Sequence, residues 1–155
     1  MAASTPSTIL LKPNGGPDAE RPVFEETVVS AAITPGEFVI FSSGSVRPHN
    51  VAADVDAPNI LAVENAYLDP RVSTSNPIDT DYAVAAKAKL IFPQTGDLCY
   101  AFLEAAGNVA KGAPLEHNGS GHLQAYSTGK IVAYAAEAKD NSGGGSEVRI
   151  KVWIA

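Results

Sequence analysis

The chain has 155 residues, 45% of them hydrophobic and 18% charged, with 17 acidic against 11 basic residues for a formal charge of −6. That length suits one domain with a proper core, and the apolar fraction argues against wholesale disorder. The basic residues are scattered from Lys12 to Lys151 without a run, which disfavours nucleic acid as a partner; no apolar stretch reaches the ~18 residues of a membrane helix, and the N-terminus lacks the pattern of a signal peptide.

Residues 1–22 are rich in Ser, Thr, Pro and Gly, and Pro6, Pro13, Pro17 and Pro22 stop any helix from propagating. This reads as an extended N-terminal arm ahead of a β-rich domain at 23–155. Inside the arm, Thr8, Ile9, Leu10, Leu11 and Lys12 form an apolar patch that a solvated tail has little reason to carry. Two readings stand: a first strand closing the sheet, or an intermolecular contact made by a loosely held arm that orders by strand addition.

From Val23 onward, Gly, Pro, Asn and Asp punctuate the chain at the spacing of an all-β sandwich or barrel. Strands are expected at Phe24 to Ser30, Glu37 to Phe41, Asn59 to Ala66, Tyr82 to Ile91, Leu98 to Leu103, Ala113 to Glu116, Lys130 to Glu137 and Glu147 to Ile154. Alanine-rich Tyr82 to Lys89 and Ala133 to Lys139 also admit helices, but segments this short are marginal as helices and read better as strands. In the last strand Val148, Ile150, Val152 and Ile154 share one face, the period-2 mark of a half-buried strand. Trp153 then points the other way, toward a second packing layer or a subunit contact.

The chain runs through one plan twice. Ile33-Thr34-Pro35-Gly36 leads into a strand, a Gly/Ser hairpin at Ser42 to Ser45 and the return Val46-Arg47-Pro48; Val109-Ala110-Lys111-Gly112 leads into a strand, a hairpin at Asn118 to Gly121 and the return His122-Leu123-Gln124. Asn59 to Glu64 then parallels Lys130 to Ala135, and acid-led Asp81 to Ala85 parallels Glu147 to Lys151. The separation of the copies shrinks along the chain, as changing loop lengths produce. Two copies are too few for a solenoid, so a small barrel or paired sheets built from two similar halves is expected.

No catalytic constellation survives inspection, so no enzyme and no cofactor is expected. Ser127-Thr128-Gly129-Lys130-Ile131 lacks the first glycine and the magnesium-binding hydroxyl of a P-loop, and Gly119-Ser120-Gly121 lacks the spacing of a nucleophile elbow. His49, His117 and His122 form no metal-binding helix pair, although the latter two flank a hairpin. Asp54 with Asp56 and Asp79 with Asp81 read as solvated loops, Asn118-Gly119-Ser120 as a turn, Asn141 to Ser146 as a flexible loop, and Cys99 as an inert strand thiol.

The turns Thr34-Pro35-Gly36-Glu37-Phe38-Val39 and Ala110-Lys111-Gly112-Ala113-Pro114-Leu115, the Gly/Ser hairpin, Ile131-Val132-Ala133-Tyr134-Ala135 and the alternating terminal strand together resemble the head-decoration, or capsid cement, proteins of tailed bacteriophages, over residues 23 to 155. The resemblance implies a β-barrel or β-tulip fold, usually a homotrimer, seated on the outer capsid surface of the virion where major capsid proteins meet. Thr8, Ile9, Leu10, Leu11, Lys12 and Trp153 are the expected capsid or subunit contacts. The rival reading is a receptor- or glycan-binding module of a phage fibre or baseplate, which favours aromatics clustered on loops, whereas the tyrosines here fall mostly within expected strands.

Overall fold

A computed structural model describes residues 6–14, 23–56, 58–65 and 76–155. Among them are thirteen strands and one 3-10 turn at Pro77–Asp79, so the fold is nearly all-β. The strands are β1 (Leu10–Lys12), β2 (Val23–Val28), β3 (Val39–Ser42), β4 (Ser45–Pro48), β5 (Leu61–Ala62), β6 (Lys87–Phe92), β7 (Leu98–Leu103), β8 (Asn108–Val109), β9 (Pro114–His117), β10 (Leu123–Ala125), β11 (Ala133–Ala135), β12 (Lys139–Asp140) and β13 (Val148–Ile154).

The C-terminal half closes into a five-stranded barrel. Its order is β7-β10-β9-β11-β13, and β13 returns to β7 through six register pairs from Val148↔Leu103 to Trp153↔Leu98. Every joint is antiparallel except β10 with β7, which run parallel at Leu123↔Leu103. Closure leaves Ile150, Val152 and Ile154 facing the interior, as the alternation of the last strand requires.

The N-terminal half repeats this cycle joint for joint. β2 pairs with β6, β6 with β5, and β3 with β4, all antiparallel; single bridges supply the other two joints, antiparallel Phe38↔Leu61 and parallel Val29↔Val46. Each pairing has its counterpart in the second barrel: Leu61↔Ile91 matches Tyr134↔Trp153, Ile40↔Arg47 matches Glu116↔Gln124, and Val29↔Val46 matches Leu103↔Leu123. The turns correspond in atomic detail. Gly36 and Gly112 sit at φ 98° and 84°, a region that favours glycine. Their N–H groups donate to Ala62 O and Ala135 O at 2.8 and 2.7 Å, while Glu37 N donates to Thr34 O and Ala113 N to Ala110 O. The duplication read from the turns is therefore a duplicated barrel, each with its own core: Val29, Ile33, Val39, Val46, Tyr82 and Leu90 among the residues of the first, and Cys99, Leu103, Leu115, Leu123, Ile150 and Val152 among those of the second.

The structure shifts three details of the repeat. The return strand matching Val46-Arg47-Pro48 is Leu123-Gln124-Ala125, one residue later than expected. Asp81 to Ala85 is not the partner of Glu147 to Lys151, because Tyr82 only bridges Ile33, as Lys139 pairs with Val109; the true counterpart of β13 is β6. Each copy also starts one strand earlier than the turns suggest, at β2 and β7. The expected strands at Asn59 to Ala66 and Lys130 to Glu137 shrink to β5 and β11. Tyr82 to Ile91 is broken by a turn with Ala85 at φ 69°, where Ala85 N and Ala86 N donate to Val29 O and Ala83 O. The strand begins only at Lys87, and no helix forms in either alanine-rich segment.

Within the expected arm, β1 lies antiparallel to β7, with Leu10↔Cys99 and Lys12↔Leu98. Ile9 is fully buried in the second core, its N–H donating to Glu64 Oε2 at 3.1 Å and its carbonyl accepting from Tyr100 N. Residues 6–14 are therefore packed on the second barrel, with β1 added to the edge of β7 as a strand of its sheet, while the ring itself closes through β13 and β7. A fully buried isoleucine gains roughly 1.5–3 kcal/mol over an exposed one, which a loose arm forgoes. The remainder of residues 1–22 lies outside the described residues.

Candidate interaction surface

The groups that invite a chemical reading are consumed by structure. The Ser127-Thr128-Gly129 turn cradles a carboxylate of its own chain: buried Glu116 accepts from Ser127 Oγ at 2.7 Å, Gln124 Nε2 at 2.9 Å, Thr128 N at 3.2 Å and Gly129 N at 2.6 Å. Burial alone raises such a carboxyl; the Ser127 and Gln124 side chains and the turn's amides outweigh it and bring Glu116 down to about 2. Cys99 is buried, and burial first, then nearby Asp97, pushes its thiol up to about 12, which removes the thiolate a nucleophile needs. Asn118 Oδ1 accepts from Ser120 N and His122 N, shaping the hairpin tip. Among the described residues no group of three or more His, Cys, Asp or Glu is arranged to hold a metal ion.

The histidines and one aspartate of each pair, Asp54 and Asp79, are drawn to the seam between barrels. His49 and His117 stack at 4.1 Å between ring centroids and 18° between planes, and the edge of Phe38 meets His117 at 4.9 Å. His49 Nε2 lies 3.2 Å from Asp54 Oδ2, and both rings are buried. Burial, reinforced by His49, brings His117 down to about 3; burial likewise lowers His49 against the pull of Asp54. Both rings are neutral at pH 7. His122 stands apart from this pair and meets Glu37 at 3.3 Å. Arg149 on β13 closes the other side of the seam. It donates to Pro35 O at 3.0 Å and Asp79 Oδ1 at 2.6 Å, makes a short contact with Ile78 O, and lies 4.4 Å over the Phe102 ring. At the centre, Phe102 N donates to Gly36 O at 3.2 Å.

What remains open is surface. Lys12 and Trp153, separate candidates in the sequence, line one cleft of about 410 Å³ together with Pro13, Asn14, Gly96 and Leu98. Register explains the meeting: β1, β7, β13 and β11 lie side by side, so Lys12, Leu98, Trp153 and Tyr134 form one row across the barrel wall. The row continues through Pro114, paired with Tyr134, to Tyr126, whose N–H donates to Pro114 O. Trp153, Tyr134 and Tyr126 are 37%, 39% and 42% exposed, and Lys111 Nζ lies 5.8 Å from the Trp153 ring. Leu10 and Leu11 are half-buried, and exposed Thr8 donates to Leu10 O. Sequence reasoning missed Tyr134 and Tyr126 because a strand position says nothing of which wall of a barrel it faces. A second apolar surface lies on the first barrel, where Phe24, Val28 and Phe41 are 49%, 45% and 39% exposed.

No family model matches the chain, and no curated protein is similar to it. Among solved structures, the fold is similar to that of the N base of the head fiber gp8.5 in bacteriophage phi29, with a TM-score of 0.56 at 9% identity, covering 87% of this chain and 95% of that one. At that identity the likeness is one of fold.

Proposed function

We propose that this chain is a structural protein of a bacteriophage head, seated as a homotrimer on the outer face of the capsid where major capsid proteins meet, and acting as a decoration or cement protein. The likeness of nearly the whole chain to the base of a phage head fiber carries this reading. The engagement of Glu116 and Cys99 within the second barrel, and of His117 and Arg149 in the seam, supports a structural role, and the charge of −6 with scattered cations suits a protein partner rather than packaged nucleic acid. Capsid contacts that are weak singly become strong when linked subunits engage neighbouring sites at once, through effective concentration.

The neighbour's own description as a fiber base favours a second reading, in which the chain anchors a fibre to the head instead of clamping it. Adding the purified protein to expanded, undecorated heads tests both. Saturation at three copies per local threefold position, with a raised temperature of DNA release, supports cement. The same stoichiometry without added head stability supports an anchor, and absence of binding refutes both.

A further inference from the structure

The seam between the barrels is a plug and a socket. The first barrel offers the plug: the Pro35-Gly36 turn and an outer row of Phe38, Leu61 and Ile91, all three fully buried against the second barrel. The second barrel offers the socket, the edge of β7, where Phe102 N donates to Gly36 O beside the β9–β10 hairpin tip that takes Phe38 N at Gly121 O. Since the two barrels share one topology, each also carries the other's half of the contact.

The second barrel's plug is the Lys111-Gly112 turn with Pro114, Tyr134 and Trp153, which occupy the register positions of Phe38, Leu61 and Ile91. It is bare. A Cβ at Gly36 would sit 3.2 Å from Tyr100 O and 3.3 Å from Ile9 Cδ1, whereas one at Gly112 would meet nothing within 4 Å, and Tyr134 and Trp153 are exposed.

The first barrel's socket is the edge of β2, where Val28 holds the position of Phe102. Val29 N turns inward to Ala86 O and Ser30 N outward to Val46 O, so the alternation of a strand aims the N–H groups of Phe24, Glu26 and Val28 away from β6. Among the described residues they meet no backbone partner. Phe24 and Val28 are exposed here, as is Phe41 at the neighbouring hairpin, in the place His117 fills in the second barrel. Among the described residues, six of the nine exposed large hydrophobics thus lie on the unused plug, which Tyr126 extends beside Pro114, or on the unused socket.

We propose that copies of this chain associate head to tail, the Tyr134 and Trp153 face of one copy docking on the β2 edge of the next and repeating the contact that joins the two barrels within a chain. The inference rests on the self-association in the reading above and names its surface. A contact of this kind uses two different patches, so it closes into a ring or runs into a filament; three copies close the ring of the homotrimer.

The test is light scattering on the full chain and on two variants whose folding is checked by circular dichroism. Tyr134→Lys spoils the plug. Val28→Pro spoils the socket by removing an N–H that faces solvent on an edge strand, where proline is tolerated; Trp153→Lys and Phe24→Lys replace either variant that fails to fold. The wild type is expected at three times its 16.0 kDa mass and each variant at 16.0 kDa. An equal mixture of the two variants is expected to form a pair at twice 16.0 kDa and stop, because one good plug and one good socket remain. A wild type that stays at the single-chain mass at every concentration overturns the inference, as does self-association that either variant leaves intact, or a mixture that stays at the single-chain mass. Loss of head binding with ring formation intact refutes the capsid reading alone.

Discussion

Replacing His117 with phenylalanine is expected to flatten the dependence of stability on mild acid. His117 is 1% exposed and stacked on His49, and its burial lowers it from 6.5 to about 3. Because the folded value lies below the unfolded one, the unfolded chain takes up a proton first. Stability is then complete above pH 6.5 and falls as pH drops toward 3. At pH 5 the unfolded chain lies about one and a half units below its own pKa, and at about 1.4 kcal/mol per unit this costs about 2 kcal/mol. His49, also lowered by burial, acts in the same direction. The carboxylates do not confuse the window, since Glu116 shifts from 4.5 to about 2 and acts only in stronger acid. Urea unfolding at pH 7.5 and pH 5.0 reads the effect: with a slope of roughly 1–3 kcal/mol per molar, the wild-type midpoint should fall by about 1 M. His117→Phe keeps a ring against Phe38 and His49 and should lose most of that fall. Equal wild-type midpoints at the two pH values, or an undiminished fall in the variant, would refute the reasoning.

Glu116→Ala removes the acceptor of four donors inside the barrel wall and is expected to cost on the order of 3 kcal/mol at pH 7, from the shift between 4.5 and about 2, read by thermal unfolding. Since the folded value is depressed, that contribution is present above pH 4.5 and disappears as pH falls through 2, so variant and wild type should converge in strong acid. Ile9→Ala should lower stability by about 2–5 kcal/mol, the range for emptying a buried aliphatic site; a variant as stable as the wild type would return this segment to a loose arm.

The sequence alone carries the duplicated plan, because the features that betray it are local. A positive φ at Gly36 and Gly112 and the alternation of Val148 to Ile154 depend on a residue and its immediate neighbours. Turn glycines and period-2 strands therefore located most strands and both hairpins. Where pairing is made by backbone alone, side chains leave no trace: β2, with Glu25 and Glu26, and β7, with Cys99 and Tyr100, play one role with different residues, so both segments read as strands while their place as the first strand of each copy stayed hidden. The turn at Ala85 also needs Val29 O as an acceptor from another strand, and nothing in an alanine run announces it. Only tertiary structure decided what each outer face meets. Leu61 with Ile91 and Tyr134 with Trp153 hold matching register positions, yet the first pair is sealed in the seam and the second faces water. His49 and His117, far apart in the chain, become a stacked pair for the same reason. Alternation specifies that a strand has two faces, but the docking of one barrel on the other determines which outer face is buried and which stays exposed.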